Sequence, residues 1–201
     1  MVAKLWSSYD TLLADLDGVI YEGENAIIHA VDVVNSLQNE GVKVGYVTNN
    51  SSRKASTIAE QLAGFGIPTT EQQIVGSATT GVELLAGIVP RGSKVLVVGG
   101  EGLRDRVLAA GFSLVEKADD KPAAVIQGFS PDVAWTHLAE ASFAIQRGAK
   151  WVATNSDWTI PREGGIAPGN GTLVSAVHTA VGQMPIVAGK PEPAIFHTAV
   201  R

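Results

Sequence analysis

The chain has 201 residues, 45% of them hydrophobic and 17% charged, with a formal net charge of −5. That is apolar material for a substantial core and length for two small domains, while the acidic balance speaks against a general nucleic-acid or anionic-membrane binder, which needs a basic face. The absence of cysteine excludes disulfides, thiolate metal sites and a cysteine nucleophile.

The N-terminal stretch shows no basic region followed by a long apolar run, and nothing approaches the roughly 20 apolar residues of a membrane helix, so a soluble, cytoplasmic protein is expected. Thr11 to Ala14 reads as a buried strand leading into Asp15. A helix is expected over 25–39 from the spacing of Ile28, Val31, Val34 and Leu37, with Gly41 as its stop. Val42 to Val47 is a second strand. Ser51 or Ser52 is placed to cap the next helix, whose apolar face is Ile58, Leu62 and Phe65. Ile74 and Val75 make a short strand before a helix starting near Ser77.

A second unit begins after Pro90-Arg91-Gly92, with strands at 94–98 and 123–127 around a helix at 103–110. Ser130-Pro131-Asp132 has the order of cap, first-turn proline and early acid, and predicts a helix start. Lys150 to Thr154 is a strand entering a polar, glycine-rich loop that runs to Gly171. A helix through Leu173 and Val177 ends at Gly182, a strand covers 186–188, and a last helix begins at Pro191. Strands alternating with helices predict an α/β fold with a parallel sheet. The four histidines show no metal-ligand spacing, and Trp6, Trp135, Trp151 and Trp158 read mostly as packing residues.

Three segments carry chemistry. Asp15-Leu16-Asp17-Gly18-Val19 directly follows the first strand, and the carboxyl ends of parallel strands are where α/β proteins bind ligands. Two adjacent carboxylates repel, which favours a bound cation or one protonated acid, and suits a nucleophile beside a general acid/base. Read alone, Asp-Gly is also common turn chemistry. Thr48-Asn49-Asn50-Ser51-Ser52-Arg53 stands between a strand and a helix, where a hydroxyl and free amides can hold phosphate, although a plain helix cap explains the segment equally well. The interval from Asp15 to Thr48 fits one βαβ unit of about 30 or more residues. In Gly189-Lys190-Pro191 the lysine can neutralise a phosphoryl group, though a lone lysine is usually a solvated surface residue.

In this order, Asp15-x-Asp17-Gly18-Val19, Thr48-Asn49-Asn50 and Gly189-Lys190-Pro191 resemble the first three signature motifs of haloacid dehalogenase (HAD) phosphatases. The long interval between Thr48 and Lys190 resembles the branch with a large inserted α/β cap, which holds NagD-like, p-nitrophenylphosphate and glycerol-3-phosphate phosphatases. The resemblance implies a Rossmann-like core with a parallel sheet over 1–80, a cap over 81–180 and a return to the core over 181–201. It implies Asp15 as nucleophile forming an aspartyl-phosphate and Asp17 as acid/base. Thr48, Asn49 and Lys190 would bind the phosphoryl group, and Asn155 and Asp157 would reach the substrate from the cap. Mg²⁺ would be held by the Asp15 carboxylate and the Asp17 carbonyl. Small phosphorylated metabolites are the expected partners, with a homodimer as the expected assembly and no nucleic acid or membrane.

The family's fourth, acidic motif has no counterpart before Arg201. The core is therefore expected to be incomplete at its C-terminus, with the Asp15 strand as an open edge and weak magnesium binding and turnover by 1–201 alone. Two alternatives stand beside the phosphatase: a catalytically incompetent HAD-fold binding module or fragment, and a phosphotransferase using the same chemistry.

Overall fold

The computed structural model describes residues 8–162 and 164–201, so Trp6 lies outside the described residues. The chain forms two compact units. The first comprises residues up to Thr48, Arg53–Val75 and Phe196–Arg201; the second comprises Asn49–Ser52 and Gly76–Ile195.

In the first unit, β1 (Thr11–Ala14) is followed by a small hairpin of β2 (Tyr21–Glu22) and β3 (Asn25–Ala26), then α1 (Ala30–Asn39), β4 (Lys43–Thr48), α2 (Ala55–Gly64) and β5 (Ile74–Gly76). The sheet order is β1-β4-β5, with β1 parallel to β4 and Ala14 opposite Tyr46. Leu16, Tyr21, Val34, Leu37, Tyr46, Ile58 and Leu62 form its core. β1 is an edge strand of this sheet, and Leu12 is 38% exposed.

The helix expected over 25–39 is shorter than its apolar spacing suggested. Asn25 and Ala26 pair with Glu22 and Tyr21, and the helix waits for a left-handed His29 (φ 68) before starting at Ala30. Ile28, counted into the apolar face, is 81% exposed. Gly41 (φ 86) ends the helix region as expected. Neither Ser51 nor Ser52 caps α2: its N-cap is Lys54, and Ser52 instead donates from its amide and hydroxyl to Asn50 Oδ1 at 3.0 and 2.9 Å. That is an Asx turn, the local alternative these side chains offer the backbone.

The second unit runs α3 (Ser77–Ile88), β6 (Lys94–Val98), α4 (Glu101–Ala109), β7 (Ser113–Val115), β8 (Ala124–Gln127), α5 (Trp135–Gln146), β9 (Lys150–Ala153), β10 (Thr159–Arg162), β11 (Gly165–Pro168), α6 (Asn170–Val181), β12 (Ile186–Val187) and the start of α7 (Pro193–Ala199), whose residues from Phe196 on belong to the first unit. Five parallel strands line up as β12-β9-β8-β6-β7. Val95, Val97, Ile126 and Val152 bury one face with Leu85, Leu103 and Val107 of α3 and α4. Leu96, Val98, Val125 and Trp151 bury the other with Ala141, Ile145, Val174 and Val177 of α5 and α6. A sheet covered on both faces is what near-continuous apolar strands such as Lys94–Val98 demand.

The chain leaves β6 for β7 on one side and reaches β8 on the other, so the order reverses at β6 and opens a crevice beyond the strands' carboxyl ends. α5 starts four residues later than Ser130-Pro131-Asp132 suggested; the Ser130 hydroxyl accepts from the Asp132 amide at 3.3 Å in a turn before the helix, and His137 Nδ1 receives the Ala134 amide at 2.9 Å. The polar loop after β9 contains the antiparallel hairpin β10–β11, which the sequence pattern did not reveal. No described helix is long and apolar enough to cross a membrane.

Candidate active site

In the first unit, Asp15 directly follows β1, and its Oδ1 accepts the Leu16 amide at 2.7 Å. The Leu16 carbonyl then receives the amides of Val19, Ile20 and Tyr21 at 3.2, 2.9 and 3.2 Å, folding the Asp17-Gly18 segment into a tight turn. Gly18 takes a φ of 78, a region open to glycine. Thr48, 1% exposed, ends the parallel neighbour β4, and its hydroxyl lies 3.5 Å from Asp17 Oδ2. Two carboxylates and a hydroxyl thus gather at the carboxyl ends of adjacent strands.

Three residues that the motif reading left without a role connect to the turn that carries Asp17: Tyr21, Arg53 and Gln61. Tyr21 is buried at 1% exposure, packs at 6.2 Å between ring centroids against Phe65, and its hydroxyl has no hydrogen-bond partner among the described residues. Burial, reinforced by the negative charge of Asp17, pushes its phenol up to about 12; the Arg53 guanidinium, near the hydroxyl without closing a hydrogen bond to it, opposes the rise. Arg53 Nη1 donates to Gln61 Oε1 at 2.7 Å, and Gln61 Nε2 donates to the Gly23 carbonyl at 2.8 Å. The sequence signal available for Tyr21 and Arg53 was adjacency to the two motifs; Gln61 sits mid-helix and had none.

In the second unit, four residues named from the sequence share one hydrogen-bond network. Asn49 Nδ2 donates to Asp157 Oδ1 at 2.9 Å and to the Lys190 carbonyl at 3.1 Å, while Asn49 Oδ1 accepts the Lys190 amide at 2.7 Å. Asn155, 4% exposed, donates to the Asn49 carbonyl at 2.9 Å and accepts the Asp157 amide at 3.2 Å. Behind them, Ser77 Oγ donates to the Asn49 carbonyl at 2.7 Å, and buried Asn170 donates to the Asn155 carbonyl at 2.8 Å. Gly189 is required by closeness: a Cβ there would lie 2.5 Å from Asn49 Oδ1 and 2.8 Å from the Thr154 carbonyl. The strands deliver these groups, Asn155 just beyond β9 and Lys190 just beyond β12. The Gly99-Gly100 segment is the turn from β6 to α4, with Gly99 at φ 157 and its Cβ position 3.1 Å from Leu103.

Asp15 and Asp17 offer hard oxygen donors, the type magnesium takes, and magnesium commonly keeps several waters beside one or two carboxylates. Among the described residues there is no group of three or more His, Asp or Glu that could hold a metal.

Comparison with known proteins bears on the family of the chain. Residues 12–113 match the family of haloacid dehalogenase-like hydrolases. The chain is 43% identical to the D-glycerol 3-phosphate phosphatase of Mycobacterium tuberculosis over 96% of its own length and 54% of that protein's. It is 36% identical to an acid sugar phosphatase of Staphylococcus saprophyticus, covering 96% of this chain and 73% of the relative. Among solved structures, a glycerol phosphate phosphatase of Mycobacterium tuberculosis in complex with magnesium superposes with a TM-score of 0.86 at 44% identity, over 95% of this chain and 57% of that one. A p-nitrophenyl phosphatase from Archaeoglobus fulgidus gives a TM-score of 0.86 at 30% identity, over 94% and 72%. The chain therefore spans about half the length of the mycobacterial relative and nearly three quarters of the others. With a family model matched over half of the chain, and with relatives of this identity along almost its whole length, the chain belongs to the haloacid dehalogenase-like hydrolase family.

Proposed function

We propose that the protein is a magnesium-dependent phosphatase of small phosphate monoesters, with glycerol 3-phosphate or a sugar phosphate as substrate. The observation that carries the reading is the gathering of Asp15, Asp17 and Thr48 at the ends of two adjacent parallel strands. The names of the relatives, a glycerol 3-phosphate phosphatase and acid sugar phosphatases, support the substrate class.

In this reading the unit carrying Asp15, Asp17 and Thr48 is the catalytic core and the unit on the five-stranded sheet is the inserted cap. Asp15 attacks phosphorus and the ester oxygen leaves, giving an aspartyl-phosphate and an alcohol. Asp17 gives its proton to the departing oxygen, then takes one from the water that cleaves the aspartyl-phosphate and releases phosphate. Thr48 and the Asn49 amide bind phosphoryl oxygens, and Lys190 balances their charge. Asn155 and Asp157 contact the part of the substrate beyond the phosphate. The Asp15 carboxylate and the Asp17 carbonyl would hold magnesium, which when bound would neutralise phosphoryl charge so that one anion could approach another. A small phosphorylated metabolite as partner, a homodimer as assembly and a cytoplasmic setting belong to the same reading.

The test is hydrolysis of p-nitrophenyl phosphate and glycerol 3-phosphate, with Mg²⁺ and with EDTA, by this chain and by the longest product of its gene. Magnesium-dependent release of phosphate that Asp15→Asn removes, with the circular dichroism spectrum unchanged, supports the reading. A folded protein that releases no phosphate in either form, or an Asp15→Asn variant that keeps its activity, overturns it.

A further inference from the structure

We propose that Arg53 and Gln61 are positioning residues: together they latch the tip of the β2–β3 hairpin and thereby fix Asp17 at the hairpin's base. The proposal rests on the phosphatase reading for its functional consequence, and on the first unit alone for its geometry.

The hairpin is very short. Its ladder has two residue pairs, Tyr21 with Ala26 and Glu22 with Asn25, and a two-stranded ribbon of that size has little stability of its own. It is held at three places. Its base is joined to the motif turn, because Gly18 donates to the Tyr21 carbonyl at 2.9 Å, Asp17 bridges to Tyr21, and Ile27 donates to Ile20 at 2.9 Å. Its middle is anchored by the buried Tyr21 ring. Its tip, Gly23 at φ 59, is held by the Gln61 amide.

The orientation of Gln61 is dictated by its partners. A guanidinium only donates and a backbone carbonyl only accepts, so the Gln61 carbonyl must face Arg53 and its NH₂ must face Gly23. Reversing the amide would break both bonds at once. Arg53 in turn follows Ser52 directly, at the end of the segment that begins with Thr48. A continuous path therefore runs from that segment through Arg53 and Gln61 to the hairpin tip, and back through the hairpin to Asp17. Neither Arg53 nor Gln61 belongs to the hydrophobic core. The path is suited to aligning a proton donor, a task sensitive to displacements well under 1 Å.

Leaving-group chemistry separates this role from a general structural one. Departure of an alkoxide from glycerol 3-phosphate needs a proton from Asp17, whereas p-nitrophenolate departs without one. Two variants divide the latch: Gln61→Met removes both bonds, and Gln61→Glu keeps an acceptor for Arg53 while removing the donor to Gly23. Asp17 also serves the water step, which the two esters share, so they are compared in the first step alone: in single turnover both variants should slow release of glycerol from glycerol 3-phosphate by about tenfold, the scale of one aligned hydrogen bond, and release of p-nitrophenol by less than about twofold. Hydrogen–deuterium exchange should quicken across 18–27 in both variants and stay unchanged in β4. Equal losses on the two esters, or no loss, overturn the proposal. If the unaltered protein hydrolyses neither ester, the phosphatase reading fails, and the exchange measurement still decides the latch: protection across 18–27 that ignores Gln61→Glu overturns it.

Discussion

Replacement of Asn49 tests the hydrogen-bond network of the second unit most directly. Its carboxamide makes two bonds to the backbone of Lys190 and one to the Asp157 carboxylate. Neutral bonds contribute about 1 kcal/mol each and one to a charged group about 2, which sums to about 4 kcal/mol. Asn49 is half-buried, so water replaces part of this, and Asn49→Ala should cost about 2–3 kcal/mol. Asn49→Asp keeps an acceptor for the Lys190 amide, loses both donors, and sets a second carboxylate where 2.9 Å now separates Nδ2 from Asp157 Oδ1. At an effective dielectric of about 20, two charges about 4 Å apart repel by about 4 kcal/mol, an upper figure for a partly solvated pair. Asn49→Asp should therefore be worse than Asn49→Ala at pH 7. Urea unfolding followed by tryptophan emission reads this out, because Trp135, Trp151 and Trp158 all belong to the second unit. With a slope of about 2 kcal/mol per molar, Asn49→Ala should move the midpoint down by about 1 M. A loss below about 0.5 kcal/mol for Asn49→Ala, or an Asn49→Asp variant no worse at pH 7, refutes the reasoning.

Gly189→Ala should cost about 1–3 kcal/mol by forcing its methyl against Asn49 Oδ1 and the Thr154 carbonyl, and less in an Asn49→Ala background; a double-mutant cycle in urea checks this. Tyr21→Phe should cost under about 0.5 kcal/mol at pH 7, because the hydroxyl it removes has no hydrogen-bond partner among the described residues. The Tyr21 phenol sits above its ordinary 10.0 in the folded chain, at about 12, so its contribution is complete below pH 10 and is lost as pH rises through 12. Thermal melts from pH 9 to 12 should show that loss, and Tyr21→Phe should flatten it. Leu85→Ala, at a fully buried position of the second unit, should cost about 2–5 kcal/mol in the same urea assay.

Elements with strong, redundant patterns were readable from the sequence. Lys94–Val98 and Ala124–Gln127 are apolar on both faces because both are covered, and each stands where its run of Val, Leu and Ile put it. Misreadings cluster where a local bond competed with a pattern. Ile28 continued the helical spacing, yet the Tyr21–Ala26 pairing claimed that part of the chain. Ser130-Pro131-Asp132 carried a helix signature that the chain uses for a turn. β10 and β11 escaped notice because their residues are mostly exposed on both faces, with proline and glycine among them, so no alternation marks them. The placing of Asp15 just after β1 and of Thr48 at the end of β4 was legible from the apolar runs before them. What no spacing could reveal is that Asn49 clasps both backbone groups of Lys190, since that depends on the register of β12 against β9.

The first unit is discontinuous in sequence: its last segment, Phe196–Arg201, arrives only after nearly the whole of the second unit has been traversed. The second unit, apart from Asn49–Ser52, is one uninterrupted stretch. This linear order imposes a temporal one. Contacts of β6, β8 and β9 form across short crossovers, whereas the final segment of the first unit must close a loop as long as a domain. Closure entropy grows slowly, by about 0.6 kcal/mol per doubling of loop length, so the delay is kinetic more than energetic. Collapsing the intervening stretch shortens the wait by replacing a random coil with a folded body. Pulse-labelled amides of β8 and β9 should gain protection before those of β1 and β4, and the reverse sequence would mean that the first unit nucleates without its last six residues.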